Sequence, residues 1–358
     1  MARRAPSPEA PELSSRDREI LKDTIRAFIV NGEPVSSRWV ARAGRNQLSS
    51  ATVRNVMADL EDWGYLAQPH TSAGRVPTRA GYHLYIDSLM SSRRVSRRER
   101  LQIDETVMTE AGGFDHLLAS TSQLLSDMTH QIGIVVTPNL GETTLRSITF
   151  VNLTGCKVLC ILVSTGGFSE NKVIETSGAL DREELIRISN YLTDNYSGLT
   201  LRQVRNRLIE AMSEERAKVD RLLGDAIQMA QEVLRDGEGP GVFVEGTTAV
   251  LSQPELADLE RVRLMLGAFS DHASLVQMLN HVIDGAGVRV LIGKECDLTS
   301  DLDFSMVATT YGEEGTGGSL AIVGPSRMEY QKVIPLVDYF GEKLSQALER
   351  AFAGGTDV

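Results

Sequence analysis

The sequence predicts an α+β chain of several domains, with a small helical head at the N-terminus and a larger body that mixes antiparallel strands with helices. Three observations predict it. First, 358 residues exceed what one ordinary hydrophobic core organises. Second, apolar residues recur at helical spacing up to Met128, then switch to short runs broken by Gly, Asn and Ser, and later switch back. Third, charge is unevenly divided. The first hundred residues hold 17 Lys/Arg against 11 Asp/Glu, a balance of +6, whereas the remainder holds 20 against 37, a balance of −17. A basic head on an acidic body is the asymmetry expected when one domain meets phosphate and the rest meets protein.

Residues 1–13 carry two arginines and three prolines without an apolar stretch, so they read as a disordered arm rather than a signal peptide. The head spans 14–92. Leu21, Ile25, Phe28 and Ile29 form one stripe of a helix over 15–30, which Asn31-Gly32 and then Pro34 terminate. A short helix follows from Ser36 to Ala43. Ser49 or Ser50 caps a third, which runs to Trp63 and buries Val53, Val56, Met57 and Leu60 at i, i+3, i+4, i+7. This is the tri-helical layout of helix-turn-helix proteins. Tyr65-Leu66, the turn Ser72-Ala73-Gly74 and Arg75-Val76-Pro77 then read as a hairpin, a wing on that unit. Thr78 caps a helix from Arg79 to Met90 with Tyr82, Tyr85, Ile86 and Leu89 inward, and the arginine-rich stretch from Ser91 to Arg100 reads as a linker, set at 93–103, or as a helix continuation.

Beyond the linker, Ile103 to Met128 reads as one amphipathic helix, and strands are expected at Ile132–Val136, Ser147–Leu153, Lys157–Val163 and Phe168–Glu175. Residues 181–235 return to helical period, with Thr200 and Gln203 as a capping box. Val242–Val244 is a further strand, Ser252 and Glu255 cap another helix, and strands resume at Val288–Ile292, Phe304–Tyr311 and Ser319–Val323 before a closing helix from Met328 to Ala353. The order suggests one sheet domain, 104–180 with 270–353, interrupted by a mainly helical insertion at 181–269.

The outward face of the third helix carries the chemistry. With the apolar stripe inward it presents Ser49, Ser50, Thr52, Arg54 and Asn55, flanked by Ala51 and Ala58. Small side chains let a helix settle into a major groove, Arg pairs with guanine O6/N7, and Asn pairs with adenine N6/N7. Asp59, Glu61 and Asp62 at the far end would repel phosphate, so the N-terminal half is the reading half. In the hairpin, His70, Thr71, Ser72 and Arg75 either touch phosphate and minor groove or form a solvated tip. The run Arg93, Arg94, Arg97, Arg98, Arg100 reads as solvated linker.

Other classes find little support. No P-loop, HExxH or GxSxG pattern occurs, so an enzyme is not expected. Cys156, Cys160 and Cys296 include no CxxC pair, and neither metal nor cofactor is expected. Gly324-Pro325-Ser326 reads as a strand-to-helix turn. The longest apolar run, Val158 to Val163, is too short to span a bilayer. A cytoplasmic protein with no membrane partner is the expectation.

Gly32-Glu33-Pro34-Val35-Ser36-Ser37-Arg38, the run Ser50 to Glu61 and the run Gly64 to Thr78 together resemble the HrcA family of heat-inducible transcription repressors. Shorter likenesses recur at Ile292-Gly293-Lys294-Glu295 and from Gly324 to Tyr330. The resemblance implies a winged helix, a GAF-like sheet domain and a dimerisation domain inserted into it. It also implies repression of chaperone operons by a homodimer on double-stranded DNA at an inverted-repeat operator, with help from the GroE chaperonin. Ser36-Ser37-Arg38 and Gly81-Tyr82-His83 depart from the Gly-Ser-Lys and Gly-Tyr-Arg usual in that family. A ligand-sensing winged-helix regulator remains the other reading.

Overall fold

A computed structural model of the chain describes residues 13–44, 48–70, 73–90, 93–109, 114–138, 143–165, 169–176, 178, 180–213, 229–230, 241–250, 259–270, 275–276, 279, 287–296, 303–312 and 317–353. The expected arm falls outside these except for Leu13. That residue is buried in the head, and its carbonyl accepts from Arg18 Nε at 3.1 Å, so Leu13 belongs to the core.

Helix α1 (Ser15–Asn31) starts on a reciprocal cap. Asp17 N–H donates to Ser14 Oγ, and the Asp17 carboxylate accepts the Ser14 N–H at 3.1 Å. It ends where Gly32 turns to φ 69° and its N–H closes on the Phe28 carbonyl. Ser36 caps α2 (Ser37–Ala43) and Ser49 caps α3 (Ser50–Asp62), each accepting from the backbone N–H three residues on. Strands β1 (Leu66–Ala67) and β2 (Val76–Pro77) pair antiparallel, Leu66 opposite Pro77. Thr78 caps α4 (Arg79–Leu84), which loosens into a π-type turn over Tyr85–Leu89 rather than continuing as one regular helix. Buried Ile20, Leu21, Ile25, Val40, Val53, Val56, Met57, Leu60 and Leu66 unite the head. Tyr85 joins them: burial raises the pKa of its phenol, and a hydrogen bond from Arg26 only partly opposes that.

The stretch expected as one helix is two, α5 (Arg97–Thr109) and α6 (Phe114–Thr129), and α5 begins inside the expected linker. Ser96 and Glu99 account for its early start. Ser96 N–H donates to the Glu99 carboxylate at 2.7 Å and Glu99 N–H returns to Ser96 Oγ, a capping box that periodicity alone did not reveal.

Among the described residues, the body is built on two separate antiparallel sheets. One orders β7 (Val242–Glu245), β3 (Ile132–Val136), β10 (Gly318–Pro325), β9 (Phe304–Tyr311) and β8 (Arg289–Ile292). Ala321 stands opposite Ile134 on one side and Ala308 on the other. Alternate residues of its central strands serve two cores. Val135, Val307, Leu320 and Ile322 join α6 and the closing helix Tyr330–Ala353, while Ile134, Met306, Ala321 and Val323 join Met265 and Phe269. A sheet covered on both faces needs continuous apolar runs, and Ile132–Val136 and Gly318–Pro325 are buried throughout.

The second sheet orders β4 (Leu145–Thr154), β5 (Lys157–Ser164) and β6 (Ser169–Glu175), with a core of its own that takes in α7 (Arg182–Tyr196) and α8 (Leu201–Ser213). Backbone N–H groups of Ile148 and Phe150 on the outer edge of β4 donate to Thr193 Oγ1 and Ser189 Oγ of α7. The expected partition at residue 180 is therefore corrected. Strands 145–175 leave the main sheet for the helical unit, and β7 leaves that unit for the main sheet. Thr137 N–H donates to the Gly241 carbonyl at 2.8 Å, so the chain departs and returns at adjacent positions. The expected Ser252–Glu255 cap lies outside the described residues.

Candidate nucleic-acid interface

Helix α3 packs on α1 and α2 through Val53, Val56, Met57 and Leu60, as its spacing predicts. What remains outward is exposed Ser50, Ala51, Arg54, Asn55 and Asp59, with Ala58 partly covered. Among the described residues, the Arg54 and Asn55 side chains have no hydrogen-bond or ion-pair partner, so both are available to a ligand. Two other expected contacts have structural work of their own. Ser49 Oγ accepts the Thr52 N–H at 3.1 Å and lies 2.9 Å from Thr52 Oγ1, so the pair fixes the start of the helix. The first turn thus directs backbone N–H groups and the positive end of the helix dipole outward beside Ser50.

The hairpin is fastened to the helical unit at its base. Val35 and Arg75 exchange both backbone hydrogen bonds at 2.9 Å, extending the two-stranded ribbon by one bridge. Gly74 must be glycine there, because a Cβ would collide with the Val35 carbonyl oxygen. Gln68 Nε2 donates to the Ala73 carbonyl at 3.0 Å across the tip, and His70 is exposed. Thr71 and Ser72 lie outside the described residues.

Arg75 does not project into solvent. Its Nη2 lies 2.7 Å from Glu61 Oε2, with side chains only 19% and 32% exposed, and its Nε is buried without an acceptor among the described residues. The guanidinium ties the second strand of the hairpin to the last turn of α3. The acidic end of α3, which the sequence marks only as repelled by phosphate, is therefore also an anchor. The sequence reading noted Arg38 only as a departure from the family's usual Lys, and Arg42 escaped it. They are exposed, one helical turn apart on α2, and the i, i+4 spacing of two cations was the available signal.

Among the described residues there is no group of three His, Cys, Asp or Glu side chains placed to hold a metal, and no helix is long and apolar enough to cross a membrane.

Residues 115–334 match the family model described as HrcA protein C terminal domain. The heat-inducible transcription repressor HrcA of Geobacter sulfurreducens is 42% identical over 339 residues, covering 94% of this chain and 99% of the relative. Its counterpart in Syntrophobacter fumaroxidans is 36% identical over 341 residues, covering 94% and 98%. A crystal structure described as that of a hypothetical protein superposes with a TM-score of 0.70 at 24% identity, over 95% of this chain and all of the other.

Proposed function

The chain belongs to the HrcA family of heat-inducible transcription repressors, and from that premise we propose that it represses by binding an inverted-repeat operator as a homodimer through a winged helix-turn-helix of residues 14–92. The observation that carries this reading is the outward face of α3. It joins exposed, unpartnered Arg54 and Asn55 to small neighbours on a rigid, capped helix within the basic part of the chain. Ser50 and Thr52 bring the helix start to the groove, and Ser49 sets its direction. His70, with Thr71 and Ser72, reaches the backbone or minor groove. Arg75 serves chiefly to hold the wing, since a DNA contact would require it to leave Glu61. Arg38 and Arg42 on α2 add phosphate contacts.

The main sheet, residues 114–138 and 241–353, is read as the GAF-like domain, and residues 143–230 as an insertion that dimerises. An apolar sheet surface supports that reading. Val151, Leu153 and Val173 are 43%, 47% and 54% exposed, and Leu159 stands between Val151 and Val173 in the pairing register. Isologous contact of this face with a second copy would give the two-fold axis that an inverted repeat requires. The GroE chaperonin, in this reading, maintains the pool of folded repressor.

Hydroxyl-radical footprinting on a chaperone-operon promoter tests the reading. Protection in two symmetric patches on one face of the duplex, one turn or a multiple apart, is the expected pattern. A single patch, or uniform protection without a sequence boundary, contradicts it.

A further inference from the structure

Two stretches of the body without a part in the proposed DNA contacts, Ile292–Glu295 and Gly324–Tyr330, meet the head at one place. Glu295 Oε2 lies 2.8 Å from His83 Nε2, and Glu295 Oε1 lies 3.6 Å from Arg79 Nε. The same carboxylate accepts the Ile292 N–H at 3.2 Å, so its direction is set by the turn that bears it. Beside it the Tyr82 and Tyr330 rings pack with centroids 5.8 Å apart. Gly32, at the end of α1, comes so close to Arg327 that a Cβ would stand 3.3 Å from its Nε.

Arg79 and His83 are one turn apart on α4, and α4 is coupled to the reading helix. Thr78 N–H donates to the Tyr65 carbonyl at 3.1 Å, and Thr78 Oγ1 donates to the Gly64 carbonyl at 2.6 Å, both where the chain leaves α3. A shift of α4 against the body therefore carries α3 with it. The joint is also only partly filled. A cleft of about 580 Å³ opens between head and body, lined by Phe28, Pro77, Arg79, Tyr82, Lys294 and Arg327 among others. Head and body share one buried cluster beside this cleft, with Tyr82 and Tyr85 on one side and Tyr330 and Val333 on the other, and Glu295 spans the cleft with charge.

We propose that Glu295 is a positioning residue for repression: by holding Arg79 and His83 it sets the angle at which α3 is presented, so that both heads of a dimer meet an inverted repeat in register. This rests on the dimeric operator reading above. A lone half-site makes no demand on that angle. Two half-sites on one rigid duplex do, because the second head binds only as well as its effective concentration at its half-site allows.

The test uses the full-length protein with Glu295→Gln, which keeps size and polarity, and separately with Arg79→Gln/His83→Gln, which loosens the joint from the head side. Spin labels at exposed Asp62 and Asp338, in a Cys156→Ser background, report the distribution of head-to-body distances without DNA. Binding is measured in parallel on one half-site and on the full inverted repeat. Both variants are expected to broaden the distance distribution, leave half-site affinity unchanged and lower full-repeat affinity about ten-fold. An unbroadened distribution overturns the proposal, and so do equal losses on both DNAs, which mark a folding defect. A parent protein that binds half-site and full repeat alike removes the dimeric operator reading, and the label distances still judge the joint.

Discussion

At the scale of the residue, the decisive side chains are those the fold leaves unemployed. Arg54 and Asn55 project from a helix whose opposite face is buried and whose first turn is locked by Ser49 and Thr52. Arg54→Ala is expected to weaken operator binding by about 1–3 kcal/mol per half-site while scarcely changing affinity for random DNA. Titrations on both DNAs at one salt concentration check this, and equal losses would make Arg54 a phosphate contact instead. Glu61 makes the contrasting case, for it faces away from the expected groove yet holds Arg75. Glu61→Gln should cost only about 1 kcal/mol of head stability, since the pair is partly exposed. It should nonetheless loosen the wing, seen as faster amide exchange of Val35 and Arg75, whose paired N–H groups close the ribbon. Unchanged exchange would show that backbone pairing alone fixes the wing. Sequence spacing identified the face of α3 but not this tie, because the partner of a surface arginine depends on how the hairpin folds back.

At the scale of the element, local pattern was legible and long-range pairing was not. The stripes of α1 and α3, the caps at Ser49, Thr78 and Thr200 and most strand positions follow from spacing that the chain carries within a few residues. Pairing of β7 with β3 joins residues about a hundred positions apart, and nothing in Val242–Glu245 names its neighbour. The apparent order of strands, helices, strands concealed two sheets for the same reason. The Thr137–Gly241 hydrogen bond makes the corrected boundary testable. A chain in which residues 138–240 are replaced by an Asn-Gly turn should keep a folded five-stranded sheet, because that dipeptide suits a two-residue hairpin. Calorimetry should show one cooperative transition, and loss of any folded baseline would mean the two units share a core. Val173→Asp in the intact chain should shift dimer toward monomer in sedimentation without lowering thermal stability, since Val173 is already exposed. A persistent dimer would place the interface elsewhere.

At the scale of the whole molecule, a basic head meets an acidic body where Glu295 faces Arg79 and His83 and Tyr82 packs on Tyr330, and the body carries exposed Val151, Leu153 and Val173 on its second sheet. In the proposed dimeric reading repression requires both heads at once, so loosening the body, the dimer or the joint is expected to release the operator without touching a DNA contact. Heat enters naturally at this scale, because losing about 1–2 kcal/mol of stability changes the folded fraction several-fold. Purified chaperonin should accordingly raise the operator-active fraction of repressor refolded after a heat pulse, and identical recovery without it would exclude that dependence. The most direct test of the central claim is equilibrium binding of the full-length protein to an inverted-repeat chaperone-promoter fragment against a scrambled duplex, at fixed physiological salt. The account predicts a preference of about a thousand-fold or more, with two chains per operator. Equal, steeply salt-dependent binding to both duplexes would contradict it, since counterion release without base reading gives that result.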